Sequence, residues 1–288
     1  MGGHPMIDVH THWMAPRHWG QEWDEHWRPV MGTGWPDVTP EQFDAAMADG
    51  GVTAAIVFGV RATSAGVATP NAHVAEFCAA RPRRTIGFMA LDPADVDAID
   101  QLAEGSARGL RGAKLYPVLS ERSPDDLELD PFFAQAEEDG LVLIWHVGGT
   151  ASRIGRLSQS HPFVIDEIAR RHPDLTQVMA HLASPWQRDA IAVLRKHPRV
   201  FADVSGLWAR PVDGSWALHL AAEFGVDDKL LFGSDYPMFT PRAAAEGLRG
   251  LAGGSRPGSA PLDPAVVEGV LTRDALALLG LDGEENRA

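Results

Sequence analysis

"LVLIWHVG", residues 141–148, is apolar at nearly every position until a histidine close to its end. A strand with one face in water alternates apolar and polar residues. A run that is apolar on both faces marks a strand covered on both sides, as parallel strands are. The same signature recurs in "IDVHTH" (7–12), "AAIVFGV" (54–60), "TIGFMAL" (85–91) and "RGAKLYP" (111–117). It continues in "TQVMAHLA" (176–183), "VFADVSG" (200–206) and "LLFGSDYP" (230–237). Helical patterns fill the gaps at 40–51, 71–82, 93–107, 131–140, 163–173, 185–198 and 215–225, and 264–280 reads as one long amphipathic closing helix. Pro or Ser sits near many helix starts and Gly or His-Pro near many ends, as helix boundaries prefer. Such repetition leaves a doubly wound sheet or a closed barrel, and eight strands favour a (β/α)8 TIM barrel with parallel strands.

No composition break divides the chain, so one domain over 1–288 is expected, its barrel core at about 6–280. The stretch "GGSRPGSAP" (253–261) reads as a late surface loop. The formal charge is -14, from 25 Lys+Arg against 39 Asp+Glu. Nucleic acids and anionic membranes need basic patches, so neither is expected as a partner. Cys78 is the only cysteine, which excludes an intramolecular disulfide and fits a reducing compartment. "MGGHPM" has no basic n-region and no apolar h-region, so no signal peptide is expected. No apolar run reaches the roughly 18 residues of a membrane span. A cytoplasmic location is the expectation.

Barrel active sites lie at the C-terminal ends of the strands. There the sequence places His10 and His12 (first strand), Lys114 and Tyr116 (fourth), His146 (fifth), His181 (sixth) and Asp235 (eighth). Each interrupts an apolar run where packing alone would favour Val or Ile. Imidazole and carboxylate suit a borderline-soft divalent ion such as Zn2+. His10, His12, His146 and Asp235 form a plausible ligand set. A metal lowers the pKa of its water to about 7. Asp235 then serves as proton shuttle, and His181 as stabiliser of a substrate carbonyl or oxyanion.

"VHTHW", "GAKLYP", "LIWHVGG", "VMAHLASPW", "FADVSG" and "LLFGSDYP" together resemble the amidohydrolase superfamily, from about residue 6 to about 280. The resemblance is to its amidohydrolase-2 branch, which includes aminocarboxymuconate-semialdehyde decarboxylase. It implies a (β/α)8 barrel and one divalent metal ion, Zn2+ or Mn2+. By motif, His10 and His12 match the first-strand ligand pair, His146 the fifth-strand ligand, His181 the sixth-strand catalytic histidine and Asp235 the eighth-strand aspartate. Binuclear relatives carry a carbamylated lysine near the position of Lys114. This branch generally uses one metal, so Lys114 is read instead as pairing with Asp235 or another acid, or as binding a substrate carboxylate or carbonyl. The resemblance also makes a homodimer the expected assembly.

Trp13, Trp19, Trp23, Trp27 and Trp35 crowd the first long loop, 13–38. They read either as an aromatic wall over the pocket, suited to a flat substrate, or as a side core or dimer contact. Trp13 directly follows His12 and is expected to touch the substrate. Arg61 offers a bidentate fork for a carboxylate, or a salt bridge to one of the many acids. Tyr116 and Trp186 are the remaining expected pocket residues. His172 and His197 precede prolines at helix ends and fit a helix-dipole role. Buried structural packing is the reading for Cys78.

The expected activity is metal-dependent hydrolysis of a small amide, lactone or cyclic ester, the substrate being aromatic or carboxylate-bearing. The alternatives are a metal-dependent, non-oxidative decarboxylase of an aromatic or enoic acid, and a non-catalytic metal-binding protein. One constellation of ligands serves both chemistries, and sequence does not separate them.

Overall fold

The computed structural model describes residues 6–81, 85–252 and 262–282; of Glu22 and Trp23 only the backbone is described. The loop expected at 253–261 lies outside these residues. The chain forms a (β/α)8 barrel. Its strands are Met6–His12, Val52–Phe58, Thr85–Gly87 continued by Met89–Leu91, Gly112–Leu115, Val142–Trp145, Thr176–Met179, Val200–Asp203 and Leu230–Leu231. All neighbours among them pair in parallel. The third strand is broken at Phe88; its first part pairs with the second strand, its last part with the fourth. Past the eighth strand, Val9 N–H donates to Phe232 O (2.9 Å), Asp235 N–H to His10 O (2.9 Å) and His12 N–H to Tyr236 O (2.7 Å). These bonds join the last strand to the first.

Two layers of apolar side chains alternate along the strands, as a period of two requires. Ile7, Val9, Ile56, Phe58, Ile86, Phe88, Val142, Ile144, Val178, Phe201 and Leu231 fill the barrel interior. Ala55, Val57, Met89, Leu91, Leu143, Trp145, Val200 and Ala202 face the helices. The closing helix is not continuous: Pro264–Thr272 ends, and Asp274 caps a second helix, Ala275–Leu279, by accepting from Ala277 N–H (3.1 Å). That break turns Ala275 and Leu279 into the interior cluster, closing the barrel end opposite the mouth.

Local signals explain the helices. In Pro40–Gly50, Thr39 Oγ1 accepts from Gln42 N–H (3.3 Å) and Gln42 Oε1 from Thr39 N–H (2.8 Å), a capping box. Gly51 ends it at φ 74°, a left-handed position that glycine takes without a Cβ clash. Two helices go beyond the sequence pattern: Pro241–Ala252, and Gln21–Met31 inside the Trp-rich segment. The latter carries Pro29 in its interior, which masks it from a propensity reading.

Candidate metal centre at the barrel mouth

The first strand positions the site through an irregularity. Asp8 pairs with Ala55 but Thr11 with Val57, so one extra residue is inserted between them. Ile7 and Val9 face the interior. Strict alternation would then turn His10 and His12 outward. The bulge shifts the phase by one, and both imidazoles meet Phe58 edge-on inside the barrel, at 5.1 and 4.9 Å between centroids. Bulges beside functional sites commonly re-aim side chains in this way.

His10 Nε2 lies 3.3 Å from His12 Nε2, and Asp235 Oδ1 lies 3.3 and 3.2 Å from the two. An ion with tetrahedral bonds of about 2.0–2.1 Å separates its ligand atoms by about 3.3 Å. The three atoms therefore stand at the spacing of three ligand corners. Their chemistry agrees. His10 Nδ1–H donates to Asp203 Oδ2 at 2.8 Å, so Nε2 of the neutral ring carries a lone pair toward the group. Burial, aided by the nearby Lys114 charge, pushes His10 down to about 4. Burial likewise lowers His12. Both are neutral at physiological pH, the form a metal needs. Burial alone would raise Asp235, but the His12 hydrogen bond and the neighbouring imidazoles outweigh it and hold the carboxylate well below its usual range. The residues fit a divalent ion.

Asp235 sits at φ 65° and is anchored by its N–H to His10 O. Gly233, two residues earlier, is a close approach: a Cβ there would meet His10 Cβ at 2.7 Å and Asp203 Cγ at 3.3 Å. His181, Leu182 and Ala183 form a run of left-handed residues, at φ 58°, 43° and 54°. Non-glycine residues pay about 1–2 kcal/mol each for this conformation. The run sets the His181 ring 5.0 Å from that of His10 and 5.2 Å from that of His146.

The other expected site residues divide. His146 does not join the three-atom group: its Nε2 faces Gly149 O at 3.2 Å and its ring stacks on Tyr116 at 4.1 Å. The hydrogen-bond partner of that nitrogen is a loop carbonyl three residues on. Tyr116 thus reaches the mouth through His146. Lys114 is fully buried, its Nζ 4.9 Å above the Phe58 ring, with neither a salt bridge nor a hydrogen bond among the described residues; the expected pairing with Asp235 is not formed. Burial pushes Lys114 down to about 8, partly offset by Asp203 and Asp235. Arg61 lies on a short hairpin after the second strand, bound to Asp95 at 2.6 Å, which is the salt-bridge reading. Trp186 packs against His161 (5.0 Å) rather than against the His10 group.

Trp13 corrects an expectation. It points away from the mouth and stacks on Phe77 (3.8 Å) in the layer between strands and helices. As the next residue after His12, it faces the opposite side of the strand. Among the described residues, Trp35 is the tryptophan that meets His12, edge-on at 5.4 Å. It stacks on Trp19 at 4.7 Å, and Trp27 adjoins both, so the loop forms a side core and a wall of the site at once. Asp203 and Ser205 were not among the expected residues. Asp203 is fully buried and ends the seventh strand as His146 follows the fifth, so the same rule of a polar residue closing an apolar run would have found it.

Among solved structures the fold is shared with an uncharacterised TIM-barrel protein from Bordetella bronchiseptica (TM-score 0.74, 23% identity, 96% of this chain and 99% of that one). It is shared with a probable 2-pyrone-4,6-dicarboxylic acid hydrolase from Acinetobacter baumannii, solved with citric acid bound (TM-score 0.69, 15% identity, 96% and 99%). A third is a 5-carboxyvanillate decarboxylase from Novosphingobium aromaticivorans, complexed with manganese and 4-hydroxy-3-methoxy-5-nitrobenzoic acid (TM-score 0.68, 14% identity, 97% and 97%). A comparison with curated proteins finds no match. The sequence profile of the amidohydrolase family, a family of metal-dependent enzymes, matches residues 7–281. The chain belongs to the amidohydrolase family.

Proposed function

We propose that this protein is a metal-dependent hydrolase of a small, flat, carboxylate-bearing amide, lactone or cyclic ester. The observation that carries the reading is the spacing of His10 Nε2, His12 Nε2 and Asp235 Oδ1 at ligand-corner distances, with His181 beside them. These three residues would hold the ion, and His146 would complete the set once its Nε2 leaves Gly149. When bound, the ion supplies Lewis acidity and acidifies water.

The protein's own groups do the rest. Asp235 turns Oδ1 to both imidazoles, which leaves its second oxygen to take the proton of the attacking water and hand it to the leaving group. His181 has Nδ1 turned to Ser205, so Nε2 is the nitrogen left for substrate. Protonated, that nitrogen donates to the oxygen on which charge develops; neutral, it has a lone pair and accepts a proton instead. Lys114 supplies a buried positive charge, and Tyr116 and Trp35 supply aromatic surfaces beside two of the histidines. Together they suit a flat anion. Two neighbours' names, a pyrone dicarboxylic acid hydrolase and a carboxyvanillate decarboxylase, also speak of carboxylated substrates.

Lys114 also favours a second reading, decarboxylation of an aromatic or enoic acid, because a buried ammonium with no hydrogen-bond partner among the described residues attracts the carboxylate that would leave. One assay separates the two. Zinc- or manganese-loaded protein is offered lactones, amides and aromatic acids in H218O and, separately, in D2O. Label from water in the product supports hydrolysis. Released CO2, with solvent deuterium on carbon, replaces it by decarboxylation. No turnover in any class by metal-loaded protein overturns both.

A further inference from the structure

Asp203 collects hydrogen-bond donors from three directions. Oδ2 accepts from His10 Nδ1–H at 2.8 Å. Oδ1 accepts from the backbone N–H of His181 (3.1 Å), the backbone N–H of Ser205 (3.0 Å) and the Ser205 hydroxyl (2.5 Å). Two oxygens this close need a proton between them, and an ionised carboxylate has none to give. Oδ1 already accepts from two backbone N–H groups, which bond to an oxygen lone pair, so the proton of the contact with Ser205 is the hydroxyl's. The hydroxyl proton of Ser205 is therefore committed to Asp203.

The oxygen of Ser205 is then only an acceptor toward the 2.8 Å contact with His181 Nδ1. The second atom facing Nδ1, the Ser205 carbonyl at 3.2 Å, is an acceptor as well. With two acceptors before it, Nδ1 carries the hydrogen, and Nε2 of the neutral ring is bare. The bond from His181 N–H to Asp203 pins the left-handed turn that presents this ring.

We propose that Ser205 is a positioning residue: its hydroxyl, held by Asp203, fixes His181 as the Nδ1-protonated tautomer with a bare Nε2, while the same carboxylate fixes His10 in the matching tautomer. The ring beside the metal centre and one ligand of that centre are thereby oriented by a single buried anion. The proposal rests on the metal-dependent reading for its catalytic consequence, but not for the tautomers.

The test is 15N NMR of the imidazoles in full-length protein, zinc-free and zinc-loaded, at a pH above the ordinary imidazole range. Zinc-free wild type should show a pyrrole-type Nδ1 and a pyridine-type Nε2 at both His10 and His181. Ser205→Ala leaves only the longer carbonyl contact, and the Nε2-protonated form of His181 should become populated. In zinc-loaded protein, on whichever substrate the assay above identifies, kcat should fall about 10- to 100-fold with KM and zinc affinity little changed. Ser205→Thr restores the hydroxyl and should restore both tautomer and kcat. Asp203→Asn should in addition weaken zinc about 10- to 100-fold, acting through His10. An Nε2-protonated His181 in wild type, or an unchanged His181 spectrum in Ser205→Ala, overturns the proposal. If zinc does not bind, the functional reading fails, while the tautomer result in zinc-free protein still decides this one.

Discussion

Replacing Lys114 with methionine should make the metal-free protein more stable while impairing its function. Lys114 is 1% exposed, and its Nζ has an aromatic face below it but no hydrogen-bond partner among the described residues. Burial brings the amine from 10.5 to about 8. At about 1.4 kcal/mol for each tenfold change in acidity, the ammonium is destabilised on folding by about 3 kcal/mol. Methionine fills similar length without a charge. Below about pH 8, Lys114 is protonated in both the folded and the unfolded chain, and the full penalty is present. Between about 8 and 10.5 the folded chain releases the proton before the unfolded chain does, so wild-type stability rises with pH. Lys114→Met should therefore exceed wild type by about 3 kcal/mol at pH 7, equivalent to about 5–10 °C in Tm for a chain of this size. The advantage should vanish above pH 10.5. Urea unfolding of chelator-treated protein across this range measures it. A variant no more stable than wild type at pH 7, or an advantage independent of pH, would refute the buried, unpaired ammonium.

Two further outcomes follow from packing and burial. Trp35 is 7% exposed, stacks on Trp19, meets His12 edge-on and donates Nε1–H to Met14 O at 3.0 Å. Trp35→Ala should cost about 3–5 kcal/mol in urea unfolding, and Trp35→Phe only about 1–2, from the lost hydrogen bond and ring area; equal losses would show that the indole is not packed as described. Cys78 is 8% exposed and burial pushes its thiol up to about 11, so it stays protonated at neutral pH. A maleimide at pH 8 should label it only on unfolding, and rapid labelling of native protein would contradict that placement.

The barrel was legible because Leu143, Ile144 and Trp145, or Val178 and Met179, are apolar on both strand faces, a pattern few folds require. The helix Gln21–Met31 was not, since Pro29 and a charged composition obscure its period. His10, His12 and Asp235 were identified as polar endings of apolar strands, and the structure brings their ligand atoms together. The bulge between Asp8 and Thr11 left one trace in the sequence: Ile7 and Val9 are out of phase with His10 and His12. Adjacency misled at Trp13, because the next residue along a strand faces the other way. Nothing local in the sequence announces that Gly149 O lies within reach of His146 Nε2, because that contact depends on how the following loop folds back. Asp203 carried the signal that found His146, and its role emerges only with the two histidines it orients.

The central claim is that His10, His12 and Asp235 share one divalent ion, and a zinc titration of chelator-treated protein by calorimetry tests it most directly. Wild type should take up one ion per chain at the site, and His10→Ala, His12→Ala and Asp235→Ala, each checked for native circular dichroism, should lose that binding. Wild type that takes up no zinc, or folded variants that bind it as tightly as wild type, would contradict the account.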